Sequence, residues 1–192
     1  MAKLYFKYGA MGSSKTAHAL ITKFNYEEKG MKVWLIKPAT DDRDGTDILR
    51  SRIGLSAVCT PIDKEGDIYE IFKAEHAECN VIIADESQFF TAKQVDELRS
   101  IVNEYDIPVI CHGLRTDFRT RLFPGSARLF EVADALAEIK TICECGRKAT
   151  VSARISSDGR IVTEGRQILL GSSDRYIAIC HKCYSERIKK EH

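Results

Sequence analysis

The sequence predicts an α/β protein built on a parallel sheet, with a phosphate-binding loop after its first strand and a small cysteine-clipped appendage at its C-terminal end. Three observations carry that expectation. Short continuous apolar runs alternate with stretches of helical period. The segment Gly9-Ala10-Met11-Gly12-Ser13-Ser14-Lys15-Thr16 joins the first apolar run to the first helical stretch. Four of the seven cysteines lie in two close pairs near the C-terminus. A length of 192 residues with 44% hydrophobic content is enough for one buried core and an appendage.

The elements follow in order. Leu4 to Tyr8 reads as a first strand. Ala17, Leu20, Ile21 and Phe24 recur at helical spacing, with Gly30 as the stop. Val33 to Ile36 is a continuous apolar run of the kind covered on both faces of a parallel sheet. Pro38 to Gly54 is polar and loop-like, rich in aspartate. Ile68, Ile71 and Phe72 mark a second helix, and Val81 to Ala84 a buried strand ending in Asp85-Glu86. Val95, Leu98 and Val102 give a third helix, and Pro108 to Cys111 a fourth strand. Right-handed crossovers place the loops after these strands on one edge of the sheet, where nucleotide sites form. Beyond about Lys140 the texture changes. Asp158-Gly159 between Val151–Ile155 and Ile161–Val162 predicts a hairpin.

The glycine-rich segment has the chemistry of a phosphate loop. Its backbone N–H groups turn toward an anion at a helix N-terminus, Lys15 serves the outer phosphates, and the Thr16 hydroxyl serves Mg²⁺. Ser14 stands where the second glycine of the usual pattern falls. The bland alternative is a small-residue turn with a chance lysine. Downstream, Asp85 ends a hydrophobic strand as a Mg²⁺-binding carboxylate should. Glu86 beside it suits a base that takes a proton from a hydroxyl or water. An anionic phosphate acceptor needs no such base, which argues against a nucleoside-monophosphate kinase. The alternative is that Asp85 and Glu86 merely cap the helix beginning near Thr91. No Asn-Lys-x-Asp guanine-reading element occurs, so an ATP-dependent phosphotransferase or an ATPase remains.

Cys143-x-Cys145 and Cys180-x-x-Cys183 form a four-sulfur set suited to structural Zn²⁺. Free thiols, or His181 in place of one sulfur, are the competing readings. Cys59, Cys79 and Cys111 lie alone. An odd cysteine count with a metal-like cluster fits a reducing cytoplasm better than a disulfide framework. Met1-Ala2-Lys3-Leu4 passes straight into a strand, so no signal peptide is expected, and no apolar run approaches the ~20 residues of a membrane span. A net charge of +1 offers no field for nucleic acid. Arg115, Arg119 and Arg121 are candidates to stabilise a transferring phosphoryl group, or simply a solvated basic face. Phe89, Phe90, Phe118, Phe123 and Tyr176 could wall a flat base, or be ordinary core.

Taken together, these motifs resemble the cytosolic, zinc-containing thymidine kinases of the type II class. The likeness spans the Met-containing phosphate loop, Asp85-Glu86-Ser87-Gln88-Phe89-Phe90, the Leu114-to-Phe123 segment and the cysteine-clipped terminal loop. It implies a P-loop (RecA-like) nucleotide-binding domain over residues 1–140 and a small zinc-binding lasso domain over 141–192. It also implies transfer of the ATP γ-phosphate to the 5′-hydroxyl of thymidine or deoxyuridine. Glu86 matches the general base. Gly9 to Thr16 and Asp85 to Gln88 match the ATP-contacting segments. Met11, Phe89, Leu114, Phe118 and Phe123 match the thymidine pocket. Gln167, Ile168, Leu169, Leu170 and Gly171 match the lasso stretch whose backbone reads the thymine edge, with Tyr176 packing on the nucleoside. Asp41 and Arg43 match a Pro-x-x-Asp-x-Arg segment. The resemblance further implies a homotetramer and feedback by the thymidine triphosphate end product. Ser14 and Ser172 each replace a glycine of the family pattern. The rival readings are a zinc-ribbon ATPase acting on nucleic acid, and an ATP-binding module without catalysis.

Overall fold

The structure is a computed structural model that describes residues 1–41, 45–167 and 175–191. The chain runs through β1 (Leu4–Gly9), α1 (Lys15–Glu27), β2 (Val33–Pro38), β3 (Ile48–Arg50), β4 (Ser56–Val58), β5 (Thr60–Ile62) and α2 (Ile68–Ile71), which continues as a wider π-helical turn over Phe72–His76. Next come β6 (Val81–Ala84), α3 (Ala92–Tyr105), β7 (Val109–Leu114), α4 (Pro124–Val132) and β8 (Ala135–Glu138). The C-terminal part holds β9 (Thr141–Ile142), β10 (Lys148–Ala149), β11 (Val151–Ile155), β12 (Arg175–Ile179) and α5 (His181–Glu191).

Six strands form one sheet in the order β5-β2-β6-β7-β1-β8, every neighbouring pair parallel. The predicted α/β parallel sheet is therefore borne out. Its strands are apolar runs because both faces are covered. On one face Leu4, Phe6, Trp34 and Ile82 meet Ile68, Phe72, Leu98 and Leu129 from the helices. On the other, Leu35, Ile83 and Ile110 pack with Ala19 and Leu20 of α1 and with Leu49 of β3. A further apolar cluster gathers Val151, Ala153, Ile155, Ile179 and Tyr184 in the C-terminal part.

Local chemistry sets the helix ends. Gly30 takes φ 76 just past α1, as a helix stop should. Thr91 caps α3 in a reciprocal pair with Gln94, each side chain bonding the other's backbone N–H. That pair sets aside the reading in which Asp85 and Glu86 serve as the cap.

Three features depart from the sequence expectation. The polar stretch after Pro38 contains β3, which pairs antiparallel with β4. Its anchor is the buried Lys37, whose Nζ donates to the carbonyls of Gly45 and Ile48, each at 2.8 Å. A lysine at that depth is tolerable only with such partners, and nothing in the local pattern announces them. Secondly, β5, α4 and β8 were not anticipated, although Pro124 at the first turn of α4 is a familiar start signal. Thirdly, Asp158-Gly159 does form a turn, with Gly159 at φ 87, but only one bridge, Ile155 to Ile161, crosses it. The ladder partner of β11 is the distant β12, through five pairs from Val151–Ile179 to Ile155–Arg175. The two pairings coexist, since Ile155 is bridged to Ile161 and also paired with Arg175.

The loop after β6 is clamped by two residues without side chains. A Cβ on Gly125 would lie 2.5 Å from the Ser87 carbonyl and 2.7 Å from that of Phe90. Gly125→Ala is expected to cost on the order of 1–3 kcal/mol by overpacking against backbone, read as a lower urea-unfolding midpoint. An unchanged midpoint would show that the loop has slack.

Candidate active site

Gly9 to Thr16 form the turn between β1 and α1. Gly9 has no room for a side chain: a Cβ would lie 2.5 Å from both the Ile139 carbonyl and Ser13 Oγ. Gly12 takes φ 73 and Ser14 φ 60, so the curvature needs two left-handed residues in three. A non-glycine residue held there costs roughly 1–2 kcal/mol, which Ser14 bears while remaining exposed. Ser13 is the one turned inward. Its Oγ accepts from Lys15 Nζ at 3.2 Å, and the same Nζ donates to the Ala10 carbonyl at 2.8 Å. The lysine is thereby held across the mouth of the loop, beside the open N–H groups of the α1 N-terminus.

Asp85 and Glu86 follow β6 and diverge. Asp85 is 1% exposed. Burial, with the neighbouring Glu86 charge, pushes its pKa up to about 7 against the opposing bond from the Thr16 hydroxyl. Its Oδ2 is buried with no partner in the protein. An orphaned carboxylate oxygen beside a threonine hydroxyl is a donor set that suits Mg²⁺. Glu86 sits at φ 49, in the left-handed region, is only partly buried, and lines the cleft that Asp85 does not. Gln88 holds it there. Gln88 Nε2 donates to Glu86 Oε2 at 2.5 Å, and its Oε1 accepts from the Leu114 N–H at 2.9 Å. Ser87 Oγ donates to the His112 carbonyl at 2.7 Å. Gly113 makes room for both, since a Cβ would meet Ser87 Oγ at 2.8 Å and Gln88 Oε1 at 2.9 Å.

Lys15, Thr16 and Glu86 open onto a cleft of about 250 Å³. Its lining includes Met11, Lys15, Thr16, Glu86 and Leu114 together with Asp41 and Leu49 to Ile53. Among the described residues, the cations of this lining are Lys15, Arg50 and Arg52.

Away from the cleft, the sulfurs of Cys143, Cys145, Cys180 and Cys183 lie within 4.8 Å of one another. The Cys145–Cys180 sulfur separation is 3.6 Å, close to the roughly 3.8 Å edge of a tetrahedron with Zn–S of ~2.3 Å. Burial opposes ionisation of Cys143, but N–H groups of Cys145 and Cys180 outweigh it and bring its pKa to about 6. The thiols of Cys145 and Cys180 push Cys183 up to about 12. Sulfurs so close cannot all ionise without a cation between them, so the set fits Zn²⁺.

With this geometry in hand, comparison with known proteins is decisive. The family model for thymidine kinase matches residues 2–184. The chain belongs to the thymidine kinase family. It is 42% identical to the thymidine kinase of Salmonella typhimurium over 192 residues, covering 99% of this chain and 94% of that one. It is also 42% identical to the thymidine kinase of Escherichia coli over 191 residues, covering 98% of this chain and 93% of that one.

The positions that match the family's nucleoside pocket are distributed unevenly. Met11 and Leu114 line the cleft. Phe89 meets Phe123 edge-on with ring centroids 5.5 Å apart. Phe118 is 1% exposed, its ring covered by the Arg154 guanidinium at 3.6 Å. Ser87 and Gln88 are wholly buried, so they act on the site from beneath. Gln167 Nε2 donates to Asp117 Oδ2 at 3.1 Å, and Tyr176 is half-buried on β12 opposite Arg154. Ile168, Leu169, Leu170, Gly171, Ser172 and Arg43 lie outside the described residues. None of Arg115, Arg119 and Arg121 is in the cleft lining, and Arg119 pairs with Asp117 at 3.2 Å. Sequence reasoning missed Arg50 and Arg52 in the stretch read as loop. It also missed Asp117, which accepts from the Arg119 and Arg121 N–H groups as well as from Gln167.

Two outcomes follow from these contacts. Gln88→Met removes the bond that holds the Glu86 carboxylate. Bonds to charged groups contribute about 1.5–3 kcal/mol, so kcat is expected to fall between roughly ten- and 150-fold in steady-state assays. Metal analysis of the purified chain is expected to give one zinc per chain. Chelation should then expose four fast-reacting thiols in a thiol titration, with buried Cys59, Cys79 and Cys111 remaining slow.

Proposed function

We infer that this chain is an ATP-dependent thymidine kinase that transfers the γ-phosphate of ATP to the 5′-hydroxyl of thymidine or deoxyuridine, giving dTMP or dUMP. Family membership supports the activity. The observation that supports the chemical reading is that Glu86 lines the same cleft as Lys15 and Thr16. In that reading the Glu86 carboxylate takes the proton of the 5′-hydroxyl, the freed oxygen attacks the γ-phosphorus in line, and the bond to the β,γ-bridging oxygen breaks to release ADP. Gly9 to Thr16 hold the triphosphate, with Lys15 on its outer oxygens. Thr16 and Asp85 would hold Mg²⁺, which neutralises charge developing on the phosphates. Arg50 or Arg52, in the same lining, supplies further positive charge.

By the family resemblance, the nucleoside is read as lying against Met11, Phe89, Leu114, Phe118 and Phe123, with the backbone of residues 167–171 reading the thymine edge and Tyr176 packing on the nucleoside. Thymine presents a fixed acceptor–donor–acceptor edge that main-chain groups can match. On this reading residues 1–140 are the nucleotide-binding domain and 141–192 the zinc-clipped lasso domain, with the zinc structural. A homotetramer inhibited by dTTP and working in the cytoplasm completes the proposal, on the strength of the family resemblance. Among the described residues no helix is long and apolar enough to cross a membrane. A nucleic-acid-dependent ATPase is not favoured.

The experiment is direct. Incubated with Mg-ATP and a panel of nucleosides, the protein is expected to yield monophosphates from thymidine and deoxyuridine and little from purine nucleosides. Glu86→Gln should lower kcat by about 10²–10⁴-fold. Ordinary turnover by that variant would remove Glu86 from the role of base.

A further inference from the structure

The phosphate loop is held from outside by a residue that no motif marks. Ser152 lies on β11, 3% exposed, and its Oγ accepts from the Met11 N–H at 2.9 Å across 141 residues of sequence. That N–H belongs to the Ala10–Met11 peptide unit. The carbonyl of the same unit is the one that accepts from Lys15 Nζ at 2.8 Å. A peptide unit is planar and trans, so its N–H and C=O point in opposite directions and cannot be aimed separately. Whatever fixes the Met11 N–H also fixes where the Ala10 carbonyl points.

We propose that Ser152 is a positioning residue for Lys15, acting through the Ala10–Met11 peptide plane to set the orientation in which the lysine waits for the triphosphate. The proposal rests on the reading of Gly9 to Thr16 as the ATP cradle. A neighbouring contact supports it: Thr141 Oγ1 donates to the Gly12 carbonyl at 3.4 Å, so two side chains of the C-terminal part grip the loop at peptide units separated by only one other. On the far side of the Met11 peptide, Ser13 Oγ completes the lysine's berth at 3.2 Å. Without the Ser152 hydroxyl, the Ala10–Met11 peptide is held only from its carbonyl side, by the Ser13 N–H at 3.3 Å and by the lysine itself, and the Ala10 carbonyl fixes Nζ less firmly. The C-terminal part is thus a component of the nucleotide site as well as of the nucleoside site.

Ser152→Ala and Ser152→Thr test this against the wild-type chain, by steady-state kinetics and by MgATP titration. A neutral hydrogen bond contributes about 0.5–1.5 kcal/mol, or roughly two- to twelvefold. The alanine variant is expected to raise the KM for MgATP within that range and leave the KM for thymidine within about twofold. The threonine variant, which keeps the hydroxyl, should restore the MgATP value. A merely structural serine would raise both KM values together, or resist rescue by threonine, and either result overturns the proposal. Should the alanine chain not fold, hydrogen exchange at the Met11 amide of the wild type decides. Protection supports the bond, and exchange at the solvent rate overturns it. A wild-type chain that binds no MgATP overturns the cradle reading together with this one, whereas normal wild-type binding with an unaltered alanine variant overturns this one alone.

Discussion

Two carboxylates adjacent in sequence can serve different ligands only if the backbone between them turns sharply, and the amide of Gln88 is what keeps that turn in place. Asp85, at the end of β6, is buried beside the Thr16 hydroxyl. Glu86 takes a positive φ that costs on the order of 1–2 kcal/mol for a residue with a side chain. Strain of this kind persists only where surroundings over-determine it. Here they do, through Gln88 on the carboxylate, Ser87 on the His112 carbonyl, and two glycines whose missing side chains let β7 and α4 close in.

The same economy of space governs charge. Lys15 sits among carbonyl and hydroxyl acceptors of its own loop, Lys37 among carbonyls of the β3 approach, and Asp85 beside a hydroxyl with one oxygen left over. Each buried charge is held by partners that a ligand or cation can replace or complete, which is how a site stays folded before its substrates arrive. His112, next to Ser87 in this arrangement, is pushed down to about 3 by burial and by the nearby charges of Lys7, His18 and Lys15. It therefore adds no positive charge of its own beneath the loop.

Much of this was legible in the residues, because the strongest signals are local. An apolar run followed by glycines and a lysine fixes a strand, a turn and a helix within a few residues of one another, and Asp85-Glu86 at a strand end needs no partner to be recognised. The four cysteines announce themselves by spacing, and the structure does bring their sulfurs together. What stayed hidden depends on long-range partners. Asp117 looks like any loop aspartate until Gln167 reaches it. Arg50 and Arg52 belong to a hairpin wall only because the buried Lys37 gathers the carbonyls before it. The Asp158-Gly159 pair announces its turn, across which Ile155 is bridged to Ile161, but it cannot say that the longer ladder of β11 runs to the distant β12.

The crowding at Gly9 has a consequence for when the protein becomes competent during synthesis. The floor of the cradle is made partly by the carbonyl of Ile139, whose own N–H donates to the Tyr8 carbonyl at 2.7 Å. The residues carrying the nucleotide motif leave the ribosome well before Ile139 does, and the surface that shapes them arrives only with the strand ending at Glu138. A nascent chain therefore holds the sequence of a kinase long before it holds the concavity of one.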